Sequence, residues 1–245
     1  MTSSQQNAVP HRCWGRTSTL HRCGRVGAWR FFCPMHRDHL RECVFTIVVI
    51  LLFFAWLRAT QQIDEAYSLL NRGDLSVHQR KDEEAIRSYQ TARTLFSRFG
   101  MAPEQEHALT GLAHVYVRQG HDAEAIRSYQ AALTLFQRFS RHPEDQLSVL
   151  NDLGDVYTRQ GKYAEAVRSY QALLTIYEQL DEPSAQAKIL SKIGDLYADH
   201  GEKREAIHWF AQARTLYVQH RLDPRDLQRI EDMLDHVRVR ADTPG

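Results

Sequence analysis

The heptapeptide EAIRSYQ at Glu84–Gln90 recurs unchanged at Glu124–Gln130, and it returns as EAVRSYQ at Glu165–Gln171. A looser copy, EAIHWFA, lies at Glu205–Ala211. The copies are offset by 40, 41 and 40 residues. A fixed period of this size is typical of stacked copies of one small unit, not of a single globular core. The sequence therefore predicts a repeat protein.

Prolines and glycines keep the same period along the chain. Proline is tolerated in the first turn of a helix, where its missing N–H would have no partner. Glycine just past a helix end adopts a left-handed conformation without a Cβ penalty. Each unit is thus predicted to consist of helix, tight turn and helix. The prolines are Pro103, Pro143, Pro183 and Pro224, and the glycines are Gly120, Gly161 and Gly201.

Apolar residues in the third unit fall at helical spacing on either side of Gly161, as expected for two helices that pack together. Small residues stand where the two helices must approach closely, Gly154 on the first helix and Ala166 on the second. The apolar stripes are Leu150, Leu153 and Tyr157 on the first helix, and Tyr170, Leu173 and Leu174 on the second.

This pattern resembles the tetratricopeptide repeat. The segments NDLGDVY at Asn151–Tyr157 and QGKYAEA at Gln160–Ala166 are similar to its signature, although the period exceeds the usual ~34 residues. The resemblance implies an all-α solenoid of four helix-turn-helix repeats over residues 63–240. The first repeat departs from the pattern at Ser76 and Arg80. The last segment, Pro224–Arg240, is predicted to be a single capping helix.

An uncharged apolar run precedes the repeats, from Cys43 to Leu57. Its 15 residues are short of the ~20 that a spanning helix needs, but arginine side chains at its ends can snorkel to the headgroups. We expect a transmembrane or signal-anchor helix over residues 43–58. The alternatives are a cleaved signal peptide and a buried core helix.

Charge is distributed unequally on the two sides of this run. Residues 1–42 contain seven Arg and two acidic residues, and the rest of the chain contains 24 Lys and Arg against 28 Asp and Glu. The positive-inside bias therefore predicts a cytoplasmic N-terminus, with the repeats on the outer or periplasmic side. A net acidic repeat region also argues against nucleic-acid binding.

The first 42 residues are basic and lack helical or strand periodicity, so we expect a disordered tail. Cys33, His36 and His39 have spacing that is compatible with zinc, which leaves a metal-dependent regulator as an alternative. Translation from Met35 is a further alternative, because a charged segment and then the apolar run follow it. Residues 241–245 are expected to form a short tail.

No motif in the chain predicts catalysis: there is no Gly-rich phosphate loop, no Gly-x-Ser-x-Gly and no His-Glu-x-x-His. We therefore expect a non-enzymatic scaffold or assembly factor without a cofactor, which binds a protein or peptide in a concave groove. A soluble cytoplasmic adaptor or peptide-sensing regulator is the alternative. The resemblance places the groove on the first helix of each repeat, and helical spacing then selects Asp74, Thr110, His114, Arg118, Asn151, Asp155, Arg159, Lys188 and Asp195.

Overall fold

The computed structural model describes residues 34–139 and 142–242, and within these ranges the chain is helical with no strand. The short 3-10 turn Pro143–Gln146 connects α4 to α5. The proposed zinc ligand Cys33 and most of the basic tail lie outside the described residues. The helices are α1 Pro34–His78, α2 Asp82–Arg98, α3 Ala102–Gln119, α4 Asp122–Phe139, α5 Leu147–Arg159, α6 Tyr163–Gln179, α7 Pro183–Asp199, α8 Lys203–Gln219 and α9 Pro224–Asp242.

The chain divides into two compact parts, Met1–Gln61 and Gln62–Gly245. The first part contains the apolar run, which is helical throughout. Its large side chains are exposed, for example Phe45 at 69% and Leu52 at 64%. Among the described residues, one helix is long and apolar enough to cross a membrane, and this run supplies its apolar stretch.

The second part is the predicted all-α solenoid. Repeat 1 comprises residues 62–78 and α2, repeat 2 comprises α3 and α4, repeat 3 comprises α5 and α6, and repeat 4 comprises α7 and α8. Each helix from α2 onward packs against the next one along the chain. The predicted capping helix is α9, and it buries Ile230, Leu234 and Val237.

The turns inside the repeats have the predicted geometry. Gly120, Gly161 and Gly201 adopt φ angles of +77°, +69° and +82°. At the corresponding turn of repeat 1, Arg80 takes φ +57° although it carries a side chain. Non-glycine residues in this region are uncommon, so the first repeat keeps the turn without the residue that usually permits it.

One predicted helix start differs from the structure. Pro103, Pro183 and Pro224 lie in the first turns of helices, but Pro143 begins a 3-10 turn and α5 starts only at Leu147. The extra residue of the 41-residue interval lies between Pro143 and Gly161.

Glycines on the first helices let an aromatic ring from the second helix lie against the backbone. A Cβ on Gly154 would stand 2.6 Å from Cε1 of Tyr170, and a Cβ on Gly194 would stand 2.7 Å from the Phe210 ring. The expected close approach at Gly154 is thus present, with Tyr170 as the residue that fills it.

The core of the solenoid consists of three apolar clusters that do not coincide with the repeats. The first helices α3 and α7 each contribute to two of them. On α3, Ala108 and Leu112 belong to the cluster of repeat 1, whereas Leu109 and Ala113 belong to the cluster that includes their own second helix α4. Each first helix is therefore buried between its own second helix and the preceding repeat.

Candidate functional site

The nine predicted groove residues lie on the first helices of the repeats, as expected. The structure separates them into a cleft, a polar network, two ion pairs and the isolated residues Lys188 and Asp195. The cleft contains Asp74 on α1 with Thr110 and His114 on α3. The network contains Asn151 and Asp155 on α5. The ion pairs contain Arg118 and Arg159.

A tyrosine–aspartate hydrogen bond recurs in repeats 1 and 3. The Tyr89 hydroxyl donates to Oδ1 of Asp74 at 2.7 Å, and the Tyr170 hydroxyl donates to Oδ1 of Asp155. Burial raises the pKa of both tyrosines, and the hydrogen bond to the carboxylate raises it further. The hydroxyls therefore stay protonated and hold each aspartate in a fixed position on the groove face.

Repeat 2 has histidine where its neighbours have this aspartate, and the next repeat supplies the carboxylate instead. Nε2 of His114 lies 2.9 Å from Oδ2 of Asp152, and the Tyr129 hydroxyl donates to the same oxygen at 3.4 Å. Burial acts to raise the pKa of Asp152, but hydrogen bonds from His114, Asn151 and Tyr129 outweigh it, and that pKa is lowered. Asp152 is therefore ionised and links repeats 2 and 3.

Repeat 4 contributes a cation to the same network. Nζ of Lys192 lies 2.8 Å from Oδ1 of Asp155 and 2.9 Å from Oδ1 of Asn151. It also lies 5.1 Å from the centre of the Tyr170 ring, within the range of a cation–π contact. The Asp155 carboxylate is thus neutralised from within the chain.

Sequence reasoning missed Asp152 and Lys192, although both are central to this network. They occupy the same position in successive first helices, and Gly111 is their counterpart in repeat 2. Each side chain reaches back to the preceding repeat, to His114 and Asp155 respectively. A comparison of this position across repeats reveals the opposite charges, so the repeat alignment contained the signal.

Arg118 and Arg159 are engaged with the scaffold. Two of the three guanidinium nitrogens of Arg118, Nε and Nη2, donate to the carboxylate of Asp82, with Nε at 3.3 Å, and Nη1 donates to the carbonyl oxygen of Val77. Arg159 makes the same two contacts with Asp122, with Nε at 3.2 Å. Each pair joins the end of one first helix to the start of the preceding second helix. The hydrogen bond to Asp122 raises the pKa of Arg159, so the guanidinium stays charged.

The cleft lies between the end of α1 and α3, and its volume is about 480 Å³. Asp74, Tyr89, Thr110 and His114 line it, together with Glu106 and other residues of α3. Burial raises the pKa of Glu106, although the Thr110 hydroxyl donates to its Oε1 at 2.7 Å and opposes the shift. The cleft brings together three predicted groove residues from two repeats.

The two predicted residues of repeat 4 lie apart from these features. Lys188 is exposed on α7. Asp195 is partly buried, and within the described residues its Oδ1 has no hydrogen-bond partner. Burial raises the pKa of Asp195 to about 6, with Arg229 opposing the shift and Asp199 adding to it.

Over the ranges that the structure describes, no group of three or more His, Cys, Asp or Glu side chains is arranged to hold a metal ion. The cleft and the network offer hydrogen-bond donors, acceptors and charges, and these are suited to recognising a polar ligand.

The comparisons with known proteins agree on one family of repeat proteins. A sequence profile described as "Tetratricopeptide repeat" matches residues 57–138 and 145–217. No curated protein sequence matches the chain significantly.

Solved structures of repeat proteins are similar in fold. The apo form of RapI is 16% identical with a TM-score of 0.63 over 72% of this chain and 49% of its own. A Pyrococcus horikoshii signal-transduction ATPase with a tetratricopeptide repeat sensor is 16% identical with a TM-score of 0.57, over 70% of this chain and 26% of its own. A kinesin-light-chain-like repeat protein from Podospora anserina is 13% identical with a TM-score of 0.53, over 74% of this chain and 99% of its own. The chain thus spans about half of RapI and about a quarter of the ATPase.

Proposed function

The chain belongs to the tetratricopeptide repeat family, and from that premise we propose that its solenoid is a scaffold that binds a protein or peptide partner. Members of this fold generally bind such partners on the surface that the stacked helices present. The binding surface proposed here is the face of the first helices that contains the cleft and the Asp152–Lys192 network. The single observation that carries the proposal is the convergence of Asp74, Thr110 and His114 on one cleft.

The two ion pairs reduce the part of this surface that is available to a ligand. Because Arg118 and Arg159 are held by Asp82 and Asp122, they stabilise the stack and contribute little free donor capacity to a ligand. Binding would instead depend on the cleft of repeats 1 and 2 and on the exposed part of α7 around Lys188.

We also propose that the scaffold is anchored in a membrane through residues 43–58. The exposure of every large apolar side chain from Val44 to Leu57 supports this, since such a run is unfavourable in water. The excess of arginine before the run supports an orientation with the N-terminus in the cytoplasm and the repeats on the outer or periplasmic side.

Site-specific photo-crosslinking tests the partner surface. A photoreactive amino acid replaces Thr110 in the cleft or Lys188 on α7, and in a matched control it replaces Thr175 on the second helix α6. Irradiation of cells that express the full chain is expected to give the same crosslinked protein from positions 110 and 188, and none from position 175. Equal crosslinking from all three positions, or from 175 alone, would exclude the proposed surface.

Extraction tests the anchor independently. The full chain is expected to sediment with membranes, to resist high salt and alkaline carbonate, and to require detergent for release. Release by carbonate would favour the soluble adaptor. A C-terminal alkaline phosphatase fusion is expected to be active if the repeats are outside the cytoplasm, and an inactive fusion would reverse the orientation.

A further inference from the structure

Lys192, at the boundary of repeats 3 and 4, occupies a cation site that an aspartate and a tyrosine form. Asp155 and Tyr170 hold the Lys192 ammonium, which donates to the carboxylate at 2.8 Å and lies over the ring. Asn151 provides the second acceptor at 2.9 Å. The chain itself therefore shows that a Tyr–Asp pair in this fold can bind an ammonium group.

The same pair occurs at the boundary of repeats 1 and 2. Tyr89 follows Asp74 by 15 residues, as Tyr170 follows Asp155, and both hydroxyls donate to Oδ1. Lys192 follows Asp155 by 37 residues, and the residue that follows Asp74 by the same interval is Gly111. At this boundary the chain thus supplies the pair but not the ammonium.

The space at this position is the cleft of about 480 Å³. Gly111 is required there for packing, because a Cβ would stand 2.6 Å from Cζ of Tyr89. The chain cannot fill the cleft from this position without moving the ring. A side chain that enters from outside has no such restriction, and the volume falls within the range of small ligand sites.

The charges of the cleft favour a cation. Asp74 and Glu106 are its carboxylates, and burial raises the pKa of Glu106, with the Thr110 hydroxyl and the charge of His107 opposing the shift. Three histidines also line the cleft, His78, His107 and His114. Nε2 of His107 lies 3.2 Å from Oδ1 of Asp74, and the His107 side chain is 54% exposed. Both contacts to Asp74 use Oδ1, so Oδ2 is left to accept from a ligand.

We propose that this cleft receives the ammonium group of a lysine side chain from the partner peptide. The inference rests on the proposed function and names the chemistry of its cleft. A lysine fits better than an arginine, because an ammonium is a compact point charge, whereas a guanidinium needs two coplanar acceptors. Asp74 Oδ2 offers one such acceptor, and Lys192 provides the internal precedent.

The test uses the full chain in detergent micelles at low ionic strength, where charge–charge contacts are least screened. The probe is a fluorescent, N-acetylated and C-amidated peptide of alternating serine and lysine. Matched peptides carry ε-N-acetyllysine or arginine in place of lysine. Fluorescence anisotropy is expected to give affinity for the lysine peptide about tenfold above the acetylated one, since a charge-assisted hydrogen bond is lost. Equal affinities for the lysine peptide and either matched peptide would overturn the proposal.

Two variants that each remove one negative charge locate the site. Asp74→Asn is expected to weaken binding of the lysine peptide about tenfold. Glu124→Gln is the matched control and is expected to leave binding unchanged, because Glu124 lies on the second helix α4, outside the proposed surface, and pairs with Arg127 there. The same loss in both variants would show general electrostatic attraction only and would overturn the proposal.

A variant that frees the Tyr170–Asp155 pair tests whether the two Tyr–Asp pairs are equivalent. Lys192→Ala exposes the pair Tyr170–Asp155 and is expected to add a second site for the lysine peptide, which a titration detects as doubled stoichiometry. Unchanged stoichiometry in this folded variant would contradict the equivalence of the two pairs.

The experiments distinguish a failure of the scaffold proposal from a failure of the lysine-site proposal. If the crosslinked partner still forms with unchanged yield in Asp74→Asn, the scaffold function stands and the lysine site is wrong. If the lysine peptide binds as expected but no protein crosslinks from positions 110 and 188, the cation site stands and the scaffold surface is wrong.

Discussion

Phe210 lies where repeats 1, 2 and 3 have a tyrosine, and Asp195 occupies the position of Asp74 and Asp155 beside it. In repeats 1 and 3 the tyrosine hydroxyl donates to the aspartate. Repeat 4 has no hydroxyl at this point, and Oδ1 of Asp195 is buried without a hydrogen-bond partner among the described residues. The burial of this carboxylate raises its pKa to about 6.

Restoring the hydroxyl should stabilise repeat 4. Phe210→Tyr is expected to raise the free energy of unfolding by about 1 kcal/mol, since a net hydrogen bond contributes that much and a buried unpaired acceptor is satisfied. Urea denaturation of the full chain, monitored by circular dichroism, measures the change.

The reciprocal variant serves as its control. Tyr170→Phe removes the existing hydrogen bond to Asp155 and is expected to destabilise the fold by about the same amount. A destabilised Phe210→Tyr would show that repeat 4 has no space for the hydroxyl next to Asp195.

Asp195 also predicts an unusual dependence of stability on pH. Its folded pKa is about 6, above the reference value of 3.8, so the folded state binds this proton more tightly than the unfolded state. The contribution of this group is therefore fully present below about pH 4, declines as the pH rises toward 6, and then stays level. Because the side chain is only partly buried, we expect a loss of about 1 to 2 kcal/mol.

Asp195→Asn should remove this dependence. The variant is expected to be more stable than the wild type at pH 7 and equally stable near pH 4. Urea titrations at several pH values test this, with Glu178→Gln at an exposed position of α6 as the control. A parallel pH profile for wild type and Asp195→Asn would contradict the assignment.

Gly154→Ala tests the close approach of Tyr170. In an exposed helix this change usually stabilises by about 1 kcal/mol. Here the added Cβ would stand 2.6 Å from the ring, and we expect a net loss of about 1 to 3 kcal/mol from overpacking. Repeat 2 already has Ala113 at this position, and its Tyr129 donates to Asp152 of the next repeat. Increased thermal stability of Gly154→Ala would show that the ring moves at no cost.

Arg118→Ala removes an ion pair that joins repeats 1 and 2. We expect a loss of about 0.5 to 1.5 kcal/mol that becomes smaller in high salt, because the pair is partly exposed. Arg127→Ala is the matched control, since Arg127 pairs with Glu124 on its own helix and is 72% exposed. Equal and negligible losses in both variants would mean that the inter-repeat pair contributes nothing.

Periodicity predicted the solenoid because every copy repeats the residues that determine helix ends and packing. The glycine turns, the number of repeats and the capping helix α9 all follow from residues that recur. The 3-10 turn at Pro143 was not predicted, because a proline in the first turn is compatible with either kind of helix. The positive φ angles of Asp181 and Arg221 were not predicted, because non-glycine residues adopt them uncommonly and no glycine marks these turns.

The candidate site was harder to predict from the sequence. Helical spacing identified which residues share a face, but it carries no information on which of them pair across repeats. Arg118 appears in the sequence as a free donor, and the structure pairs it with Asp82, 36 residues away. Lys192 was overlooked because its partners, Asn151 and Asp155, belong to another repeat. Contacts of this kind depend on the angle between neighbouring repeats in the stack, and the sequence of a single repeat does not reveal that angle.

The shared first helices determine where the solenoid can be shortened. On α7, Ile189 and Ile193 belong to the apolar cluster of repeats 2 and 3, whereas Ala187 belongs to the cluster that α9 closes. A truncation between α6 and α7, at the border of the sequence repeat, would uncover Leu173 and Ile176. A truncation after α7 would retain that cover and leave α7 as the terminal helix. The unit that can be removed without uncovering the core of repeats 2 and 3 is therefore displaced by one helix from the unit that the sequence repeats.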